Sequence, residues 1–191
     1  MDGPQPDTYS NCDQTEWIED LYNGSGHKWG NAKLFEVNVS SIAAYFEFDP
    51  PRENDLHAVD EMIRSAVPDW TRWFVAGTPA GMPGMRMSMI GYGRFAYNVK
   101  SSDRPIAWPI VGLALQKNHL SLYLAVKYEG VAAASNWADR LGKVSVSKIG
   151  AIRFVRASDI ESQAFRMMLQ TLEKDLQDGR AMLAYARVQS N

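Results

Sequence analysis

Residues 106–115 (IAWPIVGLAL), the polar turn Gln116-Lys117-Asn118 and residues 120–124 (LSLYL) decide the fold class. Two apolar runs separated by so short a polar break read as a β-hairpin. Strands joined this tightly must pair antiparallel, because a parallel crossover needs a dozen residues or more. Working outward, Met85, Met87 and Met89 alternate with Arg86 and Ser88, and Phe95, Tyr97 and Val99 alternate again, both the period of a strand with one buried face. On the other side, Val131–Leu141 is Ala-rich and ends at Gly142, which predicts a helix. Val144–Val146 and Ala151–Val155 read as two more strands. Ser158 or Asp159 then caps a long last helix carrying Ile160, Phe165, Met168, Leu169, Leu172 and Leu176. Gly179 interrupts it before a further helical stretch to about Val188. The order of elements is that of an α+β fold, an antiparallel β-sheet with helices packed on one face.

The N-terminal part is less regular. Residues 54–67 (NDLHAVDEMIRSAV) place Leu56, Val59, Ile63 and Val67 at helical spacing, with Asn54 or Asp55 as cap and Pro68 as stop. Asp69–Phe74 reads as a further helical turn, followed by a Gly/Pro-rich loop over 77–84. Ser40 or Ser41 caps a short apolar piece, Ile42–Phe48, that Pro50-Pro51 ends. Lys33–Val39 alternates like a strand, Thr15–Tyr22 resembles a short helix stopped by Asn23–Gly26, and residues 1–12 have no apolar period. The expected organisation is an N-terminal extension over 1–39 and one domain over 40–191.

The 191 residues are 46% hydrophobic and 22% charged, the composition of a globular chain rather than a disordered one. No run approaches the roughly 20 apolar residues of a membrane span. The first residues lack a secretory n-region and h-region, and one cysteine, Cys12, excludes an internal disulfide framework. A cytoplasmic protein is expected. The net charge of −2 conceals −9 over residues 1–85, +8 over 86–156 and −1 over 157–191. Two accounts fit: mutual attraction across the fold, or a basic pocket for an anionic ligand. In the second, Lys117, Lys143, Lys148 and Arg153 supply charge, and Tyr92, Tyr97 and Tyr123 are ligand-binding aromatics. A nucleic-acid partner is not expected, since neither a recognition-helix motif nor a basic run accompanies the charge.

His27, His57 and His119 show no metal spacing, which excludes a structural zinc site. Harder cations have one candidate. A helix beginning by Glu53 would bring Glu53, His57, Asp60 and Glu61 together opposite Leu56, Val59 and Ile63, a set suited to loosely held Fe(II) or Mn(II). The same residues also read as a solvated acidic face. The methionines at 82, 85, 87 and 89 suit copper(I) chemically, but their spacing is equally that of a buried strand face. Trp70, Trp73 and Phe74 are core residues or a homo-oligomer patch. With no nucleophile elbow and no phosphate loop in the sequence, a non-catalytic protein is expected.

The segments MIGYGRFAY (89–97), WPIVG (108–112), KNHLSLY (117–123), LGK (141–143) and IRF (152–154) with Asp159-Ile160 together resemble the YdhG-like family. These are small bacterial domains also called domain of unknown function 1801, and the resemblance runs from about Ser40 to Leu176. It implies a compact cytosolic α+β domain. One branch is described as a frataxin-like iron chaperone, which draws attention to the acidic helix face. Two departures stand out. Relatives often carry Arg-Lys where this chain has Gln116-Lys117, and often Gly-Lys-x-Cys where it has Ser147-Lys148-Ile149-Gly150. The missing cysteine argues against a thiol-based role. The expectations are a weak iron-binding protein or, alternatively, a small-molecule or anion-binding module built on the basic, aromatic-rich sheet.

Overall fold

The computed structural model describes residues 35–78, 85–98 and 105–184. The helix expected at Thr15–Tyr22, residues 79–84 of the expected loop and the part of the expected last helical stretch beyond Ala184 lie outside them. The chain divides between Lys33 and Leu34, and the account below concerns the second unit.

The described chain runs through α1 (Ile42–Glu47), a 3-10 turn at Pro50–Arg52, α2 (Glu53–Ala66), β1 (Arg72–Val75) and β2 (Met89–Tyr92). Next come β3 (Phe95–Tyr97), β4 (Ile106–Trp108), β5 (Val111–Leu115), β6 (Leu120–Leu124), β7 (Val126–Tyr128) and β8 (Val131–Ala132). After a 3-10 segment at Ala133–Arg140 follow β9 (Ser145–Val146), β10 (Ala151–Phe154), a 3-10 turn at Ala157–Asp159, α3 (Ser162–Gln177) and β11 (Met182–Leu183). The α+β class stands. Six strands form the main sheet in the order β1-β2-β5-β6-β10-β9, all neighbours antiparallel. Strands β11-β7-β8 and β3-β4 make two smaller sheets.

Several elements differ from expectation for identifiable reasons. The expected run 106–115 is split, because Pro109 has no N–H to give a ladder, so β4 pairs with β3 while β5 joins the main sheet. Arg72–Val75 is an edge strand, not a helical turn, since pairing with β2 satisfies its backbone. Phe35–Val39 is not a strand, although Val37 is buried and its carbonyl accepts from Ser88 Oγ at 2.8 Å. Residues 133–140 form 3-10 rather than α-helix. The last helix is capped by Glu161, whose carboxylate accepts from the amides of Gln163 and Ala164. Asp159 caps the preceding turn instead, and after Gly179 (φ 71°) the chain turns into β11.

One face of the main sheet carries Ile90, Tyr92, Leu113, Leu115, Leu120, Leu122, Ile152 and Phe154, which pack with Leu56, Val59 and Ile63 of α2 and Phe165, Met168 and Leu169 of α3. This is the main core. Tyr45 of α1 enters it in an unusual way. The β2–β5 register, extended by two pairs, opposes Ser88 to Leu115. The Tyr45 hydroxyl stands between them, accepting from Leu115 N–H at 2.7 Å and donating to Ser88 O at 3.1 Å. A phenol thus replaces one rung of the ladder and fixes α1 to the sheet.

Candidate ligand-binding face

The second face of the main sheet is built by strand alternation and register alone. One transverse row reads Trp73, Gly91, Gly112, Tyr123, Ala151. The next reads Val75, Met89, Ala114, Ser121, Arg153, Ser145, with Met89 opposite Ala114 by extension of the β2–β5 register. Val75, Met89 and Ala114 form a separate apolar cluster with Trp73, Met85, Met87 and Tyr123 against it, and no described helix contributes to it. The two glycines admit neighbouring side chains across the sheet. A Cβ on Gly91 would stand 2.9 Å from Trp73 Nε1, and one on Gly112 would stand 2.2 Å from Met89 Sδ. Trp73 is held over its glycine by an indole hydrogen bond to Gly93 O at 3.0 Å, and Arg94 stacks on its ring at 4.7 Å.

At the β6–β10 side this face becomes polar. Ser121 is fully buried, and its Oγ has no hydrogen-bond partner. Arg153, directly across the strand pair, is half-buried, and among the described residues no acidic side chain pairs with it; the paired arginines are 52, 64, 72, 86 and 180. Burial pushes the Tyr123 phenol up, while Ser121 and Arg153 pull it down. The Ser121 hydroxyl is near enough to favour the phenolate but lies outside hydrogen-bonding geometry. Burial, then the charges of Arg153 and Arg52, hold His119 below the usual imidazole range, so it is neutral at pH 7. Gln116 Nε2 lies 3.4 Å from Tyr123 Oη and 2.6 Å from Met87 Sδ. Arg52 fixes the turn beneath these groups by donating to the carbonyls of Gln116 (2.7 Å) and His119 (3.1 Å).

The residues expected to make one basic pocket are dispersed. Tyr92 lies in the core on the helix side, donating to Asp60 Oδ1 at 2.7 Å, and burial with the Asp60 charge raises its phenol well above the usual range. Tyr97 sits half-buried in the β3–β4 ribbon, raised by burial and edge-on to Trp108. Lys117, Lys143 and Lys148 are all exposed. Lys117 adjoins Leu120, which pairs with Phe154, whereas Lys148 adjoins Ala151, which pairs with Tyr123. The register therefore puts these two lysines at opposite ends of the β6–β10 pair, roughly 10 Å of strand apart. Of the expected set only Tyr123, with Arg153, falls on a common face.

The acidic helix face also needs correction. Asp60 is 4% exposed and turned inward with Val59 and Ile63, where it accepts from Arg72 Nη1 at 2.7 Å as well as from Tyr92. His57 stacks on Phe46 at 3.9 Å, with Nε2 3.9 Å from Glu53, and Glu61 is exposed. Among the described residues no three His, Cys, Asp or Glu side chains converge to hold a metal ion. Helical spacing itself sets Asp60 four residues after Leu56 and three before Ile63, at the edge of the apolar face, where Arg72 and Tyr92 satisfy its carboxylate. No described helix is long and apolar enough to cross a membrane.

Sequence reasoning missed Ser121, His119 and Gln116 as site members. The signal available was the alternation of 119, 121 and 123 on one strand face. Compared with known proteins, the chain matches no family model, no curated protein and no solved structure.

Proposed function

We propose that this chain is a non-catalytic binding module for small oxyanions, held by Arg153, Ser121 and Tyr123 on the sheet face to which no described helix contributes. The observation that carries the reading is the pairing of a half-buried, uncompensated guanidinium with a fully buried, unpartnered hydroxyl on adjacent strands. A polar group left so is costly, by about 1–3 kcal/mol for a hydroxyl, and native structures rarely retain one without a role. An oxyanion satisfies both groups at once, through charge-assisted bonds that are stronger than neutral ones. Neutral His119 and Gln116 add polar neighbours without a competing negative charge.

Titration of the full chain with acetate, followed by amide chemical shifts, tests this. Millimolar acetate should shift Gln116, His119, Ser121, Tyr123 and Arg153 together, and Arg153→Gln should abolish the response. Shifts scattered elsewhere, or unchanged in Arg153→Gln, would sink the proposal.

A further inference from the structure

Polarity along the second row of this face runs in one direction. Val75 and Met89 occupy β1 and β2, Ala114 occupies β5, Ser121 is on β6 and Arg153 on β10. The half-buried thioether chains of Met85 and Met87 lie with the apolar end, and Met87 Sδ also meets Gln116 at the polar end. From β10 to β2 is three strand spacings, about 14 Å. Resting on the oxyanion reading above, we infer that the ligand is an amphiphilic monocarboxylate. Its head lies on Arg153, Ser121 and Tyr123, and its apolar chain runs across Ala114 toward the methionines.

The charge balance selects the head. Arg153 is the cation of the polar end that no described acid pairs, since Arg52 is paired with Asp49, His119 is neutral and Ser121 and Tyr123 are uncharged donors. One guanidinium matches one carboxylate, in the fork geometry the two groups share. A phosphate dianion would leave a second charge half-buried and uncompensated. The chain is selected by the methionines, whose unbranched thioether side chains rearrange around an apolar guest more readily than branched residues do. Gly112 and Ala114 are buried, with Met89 Sδ standing over Gly112, so the guest's chain takes the place of flexible thioethers rather than of branched side chains.

Calorimetric titration of the full chain with octanoate, acetate, octan-1-ol and inorganic phosphate tests the inference. Octanoate should bind at least about tenfold more tightly than acetate, the gain expected from burying about two methylenes. Octan-1-ol should bind more weakly than octanoate, and phosphate no more tightly than acetate. Arg153→Gln should remove acetate and octanoate binding. Met85→Ser combined with Met87→Ser should erase the octanoate advantage while leaving acetate binding in place, with thermal melts confirming that each variant is folded. Arg153→Lys, which keeps the charge without the fork, serves if the glutamine variant fails to fold, and should weaken both carboxylates. Octanoate binding no better than acetate or octanol, or a preference for phosphate, overturns the chain-bearing carboxylate but spares the oxyanion site. No binding of acetate, octanoate or phosphate overturns both.

Discussion

Ser121 and Asp60 show how differently two buried polar residues are used. Asp60 is satisfied twice, by Tyr92 and Arg72, whereas the Ser121 hydroxyl has no partner. Ser121→Ala should therefore raise stability, by about 1 kcal/mol in urea unfolding, while weakening carboxylate binding. A loss of stability would mean that the hydroxyl is structural. Tyr92→Phe should cost about 1–2 kcal/mol, because it strips one of two donors from a buried carboxylate. Glu61→Gln, on the exposed acidic face, should change stability by less than about 0.5 kcal/mol in the same assay. Phenols add an alkaline limit. Tyr45 and Tyr92 are raised above their usual value, mainly by burial, and Tyr128, bonded to Asp175 at 2.6 Å, is raised to about 12. Above pH ~10 the unfolded chain releases these protons while the native protein keeps them. Native stability is full below pH ~10 and falls as pH rises above it, so melting temperature should drop steadily there, and Tyr45→Phe should flatten the drop. These residue roles were only partly legible: alternation says which residues of one strand share a face, but not how the faces of Tyr92 and Tyr123 on separate strands relate or which face the helices cover.

At the scale of elements, polar contacts supplement the apolar packing that joins α2, the last 3-10 turn and α3. Asp55 of α2 accepts from Ala157 N–H at 2.8 Å, capping a turn 102 residues away. Asp55→Ala should lower stability by about 1 kcal/mol, as loss of a cap does, read from the urea midpoint. Gly142, at φ 90°, bridges to Ile160, and a Cβ there would fall 2.4 Å from Asp159 O. Gly142→Ala combines left-handed strain with a backbone clash and should cost about 2 kcal/mol or more in the same measurement. Long, strongly periodic elements such as α2 and the β5–β6 hairpin were readable from sequence. Short ones were not. Arg72–Val75 contains aromatic residues acceptable to helix or strand, and only its partner β2 selects the strand. The two-residue strands β8, β9 and β11 have no period of their own, and exist because a neighbouring strand offers them bonds.

For the whole molecule, the block of +8 over residues 86–156 makes association with an anion sensitive to screening. Acetate binding should weaken severalfold between low and high ionic strength, whereas octan-1-ol should respond little; equal responses would remove the electrostatic account. The charge segregation is visible in the sequence, yet its lysines are spread over separate turns at different ends of the sheet. What remains is one arginine, placed beside Ser121 by the β6–β10 register. The sequence by itself determined the α+β class, the central hairpin, the principal helices and the basic character of the sheet region, since local periodicity, turn residues and charge are properties of nearby positions. Only the tertiary structure decided that Arg72 and Tyr92 meet Asp60, that Tyr92 and Tyr123 part company, and that Ser121 and Arg153 meet. Those outcomes depend on strand register and on which sheet face the helices bury, and both are set by pairings between residues far apart in the chain.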